Sequence, residues 1–220
     1  MQVRLDKDTL LMLGMHLLPL AGVWLFGWDA GNLLILYWLE SAVIGLWTVV
    51  LLAAAPEQPL PLLSPPGQPT TTGGVIAFFV LVHAGFFMAL HLYFLHSAFG
   101  VTNAAEHGSL EGALLHMVID DGLWVPLAGL FFVRALVTLN ALHNHEPPQR
   151  FVIGFYFRIV VMQIAIICGG MLTLAFGSVA ALAMLIAVRL GFELAVPSVE
   201  DYVERVAARP RSGSTPAGQD

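Results

Sequence analysis

Charged residues are scarce in this chain. Asp, Glu, Lys and Arg make up 11% of its 220 residues, whereas they make up about 25% of a typical soluble domain. The basic residues form no long arm or patch, which argues against a nucleic-acid partner. Hydrophobic residues account for 58% of the sequence. This composition excludes an ordinary soluble domain and predicts an integral membrane protein.

Cysteine and the common catalytic motifs are scarce or missing as well. The single cysteine, Cys168, cannot form an intrachain disulfide, and it lies in an apolar segment where we expect a small core residue. The sequence has no Walker A loop, no Gly-x-Ser-x-Gly elbow, no His-Glu-x-x-His and no Cys-x-x-Cys. It therefore identifies no enzyme class and no cofactor.

Long apolar segments dominate what the sequence does contain. A hydrocarbon core about 30 Å thick needs about 20 apolar residues per helical span, and unsatisfied backbone groups leave only helices and closed barrels as membrane-spanning structures. The segments are too long and continuous for barrel strands, so we predict an all-α membrane bundle of six transmembrane helices. The predicted spans are residues 9–26, 32–55, 75–99, 122–142, 151–176 and 178–196. A cleaved signal peptide is the alternative for the first span, but no small-x-small site follows it.

The remaining segments complete the predicted domain organisation. Residues 104–121 place histidines and acidic residues within an apolar pattern, which predicts an amphipathic helix at the membrane interface. Residues 1–196 then form the membrane domain. Residues 197–220 form a tail that becomes rich in Pro, Gly and Ser, and we expect its end to be disordered.

The distribution of basic residues predicts the orientation of the bundle. With six spans, Arg4, Lys7, Arg150 and the three arginines of the tail all lie on the side that holds both termini. The loops on the opposite side contain acidic residues and no Lys or Arg. The positive-inside rule therefore predicts a multi-pass protein of the cell membrane with both termini in the cytoplasm.

Ionisable residues within the predicted spans are candidates for a functional site, because charges in lipid are costly and usually have partners. Arg134, Arg158 and Arg189 lie at similar depths in the cytoplasmic half, and Glu193 is one turn from Arg189. The arginines form either a basic pocket for an anionic group or a set of snorkelling side chains and structural ion pairs. Glu40 lies deep in the outer half, where we expect it to be neutral or paired with a histidine or an arginine.

Histidines supply a second set of candidates. His83 and His91 are eight residues apart, or about 80° around a helix, and can therefore face one cavity at the depth of Glu40. Such a group could bind a metal or relay protons. The alternative is that each histidine hydrogen-bonds a neighbouring helix. His143 and His145 are weaker metal candidates, because histidines in a polar turn beside two prolines more often cap a helix end.

Residues on the outer side have more ordinary expected roles. His116 and Asp120 are one helical turn apart, so they form either a surface ion pair or half of a metal site. Trp28 and Trp124 lie next to predicted spans, where tryptophan commonly anchors a protein at the membrane interface.

Several motifs resemble those of a known family. They are Tyr37-Trp38-Leu39-Glu40, His83 with Gly85-Phe86-Phe87, Arg158-Ile159-Val160-Val161-Met162, Ile166-Ile167-Cys168-Gly169-Gly170, and Arg189 with Glu193. Together they resemble the family of prokaryotic membrane proteins designated domain of unknown function 6498, across most of residues 10–196. That family often has a histidine after the methionine of the fifth span, whereas this chain has Gln163. Gln163 can still hydrogen-bond across helices, but it weakens a metal or proton role there.

Three functions are compatible with these residues. The candidate polar cluster comprises Glu40, His83, His91, Arg134, Arg158, Gln163, Arg189 and Glu193. It predicts, first, a protein that binds an anionic lipid or a membrane partner subunit within the bilayer. A small proton-coupled transporter is the second possibility, and an intramembrane metal-dependent enzyme is the third. The resemblance implies no particular activity, substrate or cofactor.

Overall fold

The described part of the protein is helical. The computed structural model describes residues 22–60, 63–64, 70–99 and 106–176, with single residues at 184, 187 and 191. Its helices are α1 (Ala30–Ala54), α2 (Gly73–Phe99), α3 (Leu110–Ile119), α4 (Trp124–His143) and α5 (Gln149–Phe176). These residues contain no β-strand, and Pro59 and Thr72 form an isolated bridge between the ends of α1 and α2. The prediction of an all-α protein is confirmed for this part of the chain.

The long helices follow the predicted segments closely. The ends of α1, α2, α4 and α5 differ by at most two residues from those of the second to fifth predicted spans. Three helices, Ala30–Ala54, Gly73–Ser97 and Trp124–His143, are long and apolar enough to cross a membrane. Residues 9–21 of the first predicted span lie outside the described residues, and only residues 22–26 of it are described. The sixth span and the tail, including Arg189 and Glu193, also lie outside them.

The predicted interfacial helix is shorter than expected. Helix α3 begins after Ser109, whose hydroxyl accepts a hydrogen bond from the backbone N–H of Gly112. Gly108 and Gly122 have φ values of 74° and 78°, which are left-handed conformations that a helix does not continue through. The expected range of 104–121 therefore overestimated the helix at both ends, because its polar flanks form turns and a cap.

Helix α1 lies at the centre of the described bundle. It contacts α2, α4 and α5, and α2 also contacts α5. Its start is fixed by a capping box, in which Asp29 accepts from the backbone N–H of Asn32 and the Asn32 side chain accepts from the N–H of Asp29. Helix α1 runs antiparallel to α5, because Gly45 packs against Phe155 while Glu40, earlier in α1, meets Arg158, later in α5. It also runs antiparallel to α2, because Gly73 at the start of α2 lies against the end of α1, whereas Trp38, earlier in α1, meets Met88, later in α2.

The outward surfaces of the bundle are strongly apolar. Phe78 and Phe86 on α2 are 71% and 66% exposed, and Phe132 and Leu136 on α4 are 68% and 67% exposed. Water-soluble monomers rarely expose such continuous apolar surfaces. The apolar helices and their exposed aromatic side chains are therefore compatible with a lipid environment.

Candidate functional site

An ion pair joins the central helix to α5 inside the bundle. The Nη2 atom of Arg158 donates a hydrogen bond to Oε2 of Glu40 at 3.0 Å. The side chains of Arg158 and Glu40 are only 15% and 4% exposed. A buried carboxylate or guanidinium is costly unless it is paired, so each group satisfies the other where water is scarce.

Glu40 is buried because of its position on α1. Tyr37, Ser41, Ile44 and Thr48 are buried on the same side of the helix. The hydroxyls of Ser41 and Thr48 donate to the carbonyls of Tyr37 and Ile44 one turn earlier. These two hydroxyls are therefore satisfied within α1, whereas the carboxylate of Glu40 reaches across to α5.

This pairing changes how the predicted basic pocket should be interpreted. Glu40 was expected to be neutral or paired with a histidine or an arginine, and the structure pairs it with Arg158. The positive charge of Arg158 is therefore already compensated. Arg134 is partly buried on α4 and has an interaction partner of its own. The structure thus leaves fewer guanidiniums for an anionic ligand than the sequence indicated.

The two histidines of α2 lie in different surroundings and do not share a cavity with Glu40. His83 is exposed, stacks on Phe79 and has Nδ1 3.1 Å from the hydroxyl of Tyr156. His91 is 5% exposed, and its Nδ1 lies 2.8 Å from the carbonyl oxygen of Phe87 one turn earlier. His83 thus contacts a neighbouring helix, which was the alternative expectation, whereas His91 bonds the backbone of its own helix. Among the described residues, these histidines and Glu40 do not converge as metal ligands would.

Three of the buried polar atoms that have no hydrogen-bond partner in the described structure lie on α1, α2 and α5. They are Nε2 of His91, Oε1 of Gln163 and Nε1 of Trp47. The Trp47 ring packs edge-on against Phe131 of α4, with ring centroids 5.2 Å apart. Sequence reasoning missed Trp47, since an apolar helix with an aromatic residue in its middle carries no signal for an unpaired N–H.

An apolar groove separates α1 from α2 beside the ion pair. Its volume is about 450 Å³. Small residues line much of it: Ala42 and Gly45 on α1, and Ala84, Gly85 and Ala89 on α2. One end is fixed by Trp38, whose Nε1–H donates to the carbonyl of Met88 at 2.8 Å. This groove was not predicted, although closely spaced Gly and Ala residues in both helices were the available signal.

The N-terminal end of α1 is tied to the turn between α3 and α4. The Nε1–H of Trp28 donates to the backbone oxygen of Asp121 at 2.7 Å, and the Asn32 amide donates to its carboxylate at 2.7 Å. Trp28 is 4% exposed, so the expectation that it anchors the protein at the interface is wrong. Its ring packs in the core because the chain turns at Gly27. Trp124 is 55% exposed, as an interfacial position requires.

Three other candidate histidines, His116, His143 and His145, lie near the ends of helices. His116 lies 3.9 Å from Asp120 and 3.7 Å from Asp121, so it approaches both carboxylates as a surface pair. His143 and His145 are exposed, and neighbouring Glu146 pairs with Arg150. Within the described residues, no three His, Cys, Asp or Glu side chains converge as they would around a metal ion.

Comparisons with known proteins give a family and no further relative. No curated protein and no solved structure matches the chain significantly. A family model described as "Family of unknown function (DUF6498)" matches residues 3–213, which is nearly the whole chain. The motifs around Glu40, His83 and Arg158 thus led to the right family, and this chain belongs to the DUF6498 family.

Proposed function

We propose that this chain is a six-span integral membrane protein, with both termini in the cytoplasm, that binds an anionic lipid. Residues 1–196 form the membrane domain and residues 197–220 a cytoplasmic tail. The acyl chain of the lipid lies in the groove between α1 and α2. The observation that carries this proposal is the groove itself.

The shape and lining of the groove fit a lipid chain. Its volume of about 450 Å³ is within the range of ligand pockets, which is about 300–1,000 Å³. It lies between two helices that are each long and apolar enough to span a bilayer. Gly85 leaves open space where a side chain would stand, with no atom within 4 Å of an added Cβ. A flexible apolar chain can occupy such space without desolvating a polar group.

The charge balance of the predicted spans favours an anionic headgroup. Three arginines, at positions 134, 158 and 189, lie within the spans against two carboxylates, Glu40 and Glu193. The sequence of the predicted spans therefore carries one more positive than negative charge, although Arg134 interacts with another residue of the described structure. An anionic headgroup in the cytoplasmic half offsets that excess, as basic sites between membrane helices commonly do.

The two alternatives receive less support. A proton-coupled transporter needs a water path to an intramembrane acid, whereas Glu40 is 3% exposed and bound to Arg158. A metal-dependent enzyme that uses His83 and His91 needs the two rings in one cavity. Their surroundings differ, since His83 lies at the surface and His91 lies in the core.

Filling the groove tests the proposal directly. Gly85→Leu places a side chain in the open space, and Gly129→Leu is the matched control. Both glycines are exposed on long helices, and neither has an atom within 4 Å of an added Cβ. Each variant is delipidated, given phosphatidylglycerol or phosphatidylcholine with identical acyl chains, and analysed by native mass spectrometry. Wild type and Gly129→Leu should each bind one lipid and prefer phosphatidylglycerol, and Gly85→Leu should lose most of it.

Two outcomes would contradict the proposal. If folded Gly85→Leu retains as much lipid as Gly129→Leu, the groove does not hold the chain. If the two lipids bind wild type equally, the arginines do not select the headgroup.

A further inference from the structure

A hydrogen bond at Nδ1 leaves Nε2 of the buried His91 imidazole as an acceptor. The Nδ1 atom lies 2.8 Å from the carbonyl oxygen of Phe87. A carbonyl only accepts, so Nδ1 carries the proton, and in the neutral ring Nε2 bears a lone pair. Nε2 is buried without a hydrogen-bond partner. Histidines that ligate metals typically have this arrangement, in which the other ring nitrogen donates to a backbone carbonyl.

A thioether lies on the same face of α2. Met88 is three residues before His91, and side chains at that spacing are neighbours, with Cβ atoms about 5–6 Å apart. Both residues are buried, at 7% and 5% exposure. The carbonyl of Met88 also accepts from Trp38 Nε1, which holds this turn of α2 against α1.

Helix α5 brings a second thioether to the same level. The His83–Tyr156 contact and the shared groove lining of Ala84 and Phe155 set the register of α2 against α5. The two helices run parallel, because both are antiparallel to α1. His91 lies seven residues after Ala84, and Met162 lies seven residues after Phe155, which is about 10.5 Å along each helix. His91 and Met162 are therefore at about the same level.

The same spacing places a third acceptor at this level. Seven residues after Tyr156 is Gln163, whose Oε1 is buried without a hydrogen-bond partner. Met88 and Met162 also belong to one cluster of buried core residues, together with Tyr37 of α1. An imidazole nitrogen, two thioethers and an amide oxygen therefore lie at about the same level of α2 and α5, and the two thioethers share a core cluster.

We propose that Met88, His91 and Met162 bind a Cu(I) ion between α2 and α5. Thioether and imidazole are ligands that Cu(I) accepts, whereas Mg²⁺ and Ca²⁺ need several oxygen ligands and commonly keep water. All three ligands are neutral, so the site gains a single positive charge on binding. Met88 also lines the lipid groove, whereas His91 and Met162 do not. Met162→Leu therefore tests the metal site without altering the groove lining.

Metal titration with conservative variants tests the site. Purified protein in detergent is titrated anaerobically with Cu(I) against a chromophoric Cu(I) chelator. Met88→Leu and Met162→Leu remove one sulfur each at nearly constant volume, and Met171→Leu is the matched control on α5, because Met171 is 65% exposed. We expect one Cu(I) per wild-type chain. Each of the two buried variants should lose more affinity than the roughly 10- to 100-fold that loss of an outer-sphere partner causes.

X-ray absorption spectroscopy supplies a readout that stability alone does not change. Wild type and Met171→Leu should show sulfur and nitrogen scatterers around copper, and the sulfur signal should fall in Met88→Leu and Met162→Leu. Wild-type affinity in both buried methionine variants, with unchanged copper spectra, would overturn the proposal. So would stoichiometric binding of Zn²⁺ as tight as that of Cu(I), because a site built from thioethers should discriminate against it.

Discussion

The guanidinium of Arg158 lies 3.0 Å from the carboxylate of Glu40, although the two residues are 118 positions apart in the chain. This contact connects the central helix to α5 inside the bundle. Both side chains are mostly shielded from water. The pair therefore stabilises the arrangement of α1 and α5 only while both charges are present.

Removing one partner of this pair should be strongly destabilising. Arg158→Met or Glu40→Leu leaves a buried charge without its compensating charge, which costs about 3–5 kcal/mol. The double variant Glu40→Leu/Arg158→Met removes both charges and should recover much of that loss. Unfolding in mixed micelles of increasing SDS content measures the differences, and a double-mutant cycle gives the coupling free energy.

The Glu146–Arg150 pair is the matched control for this prediction. It contains the same residue types, one turn apart at an exposed helix start, with side chains 24% and 36% exposed. Glu146→Gln should cost less than about 1 kcal/mol, as surface pairs do. If Glu40→Leu and Glu146→Gln destabilise equally, then the buried pair does not organise the bundle.

Replacing each of two glycines by alanine should change the stability in opposite directions, because Gly45 is packed closely between α1 and α5 and Gly129 is not. A Cβ added at Gly45 would come within 2.8 Å of the ring of Phe155, which is 3% exposed and has little room to move. Gly45→Ala should therefore destabilise by about 1–3 kcal/mol. Gly129→Ala meets no atom and should stabilise by up to about 1 kcal/mol through helix propensity.

The same SDS titration measures both glycine variants. Phe155→Leu combined with Gly45→Ala should cost less than the two single changes added together, because the smaller side chain removes the clash. Additive costs in the double variant would show that Gly45 and Phe155 do not limit each other.

The helices and the importance of Glu40 could be predicted from sequence because both follow from the cost of polar groups in lipid. Apolar length sets the helices, and a carboxylate within a span needs a partner. The identity of that partner could not be predicted, since the expected depths placed Glu40 in the outer half and Arg158 in the cytoplasmic half, which favoured His91 over Arg158. Rotation about the helix axes decided between them, and the almost uniformly apolar helices of this chain show little periodicity from which rotation could be read.

Trp28 shows a second limit of sequence reasoning. Tryptophan beside an apolar segment usually lies at the membrane interface, but here a turn at Gly27 directs the ring into the core. Trp28 and Asn32 both contact Asp121, which lies about 90 residues later in the sequence. No local pattern could have indicated these contacts.

These contacts predict an order of stabilities at the N-terminal end of α1. Asn32→Ala removes the hydrogen bond to the Asp121 carboxylate, worth about 1.5–3 kcal/mol, as well as half of the capping box. Asp29→Ala removes only the cap, worth about 1 kcal/mol. Asn32→Ala should therefore be the more destabilising of the two in SDS titration. A larger loss in Asp29→Ala would mean that the tie to Asp121 contributes little.

The proposed orientation predicts which loops face the outside of the cell. Cys168 is the only cysteine, so Cys168→Ala provides a background for single cysteines at Glu57 and Glu106, both of which are exposed. Glu57 follows the end of α1 and Glu106 lies between α2 and α3, so a membrane crossed by α2 separates them. A membrane-impermeant maleimide should label Glu106→Cys in intact cells, and should label Glu57→Cys only after the membrane is permeabilised. Labelling of both positions in intact cells would contradict a span at α2, and the reverse pattern would place the termini outside, because the number of spans between each loop and the N-terminus fixes its side.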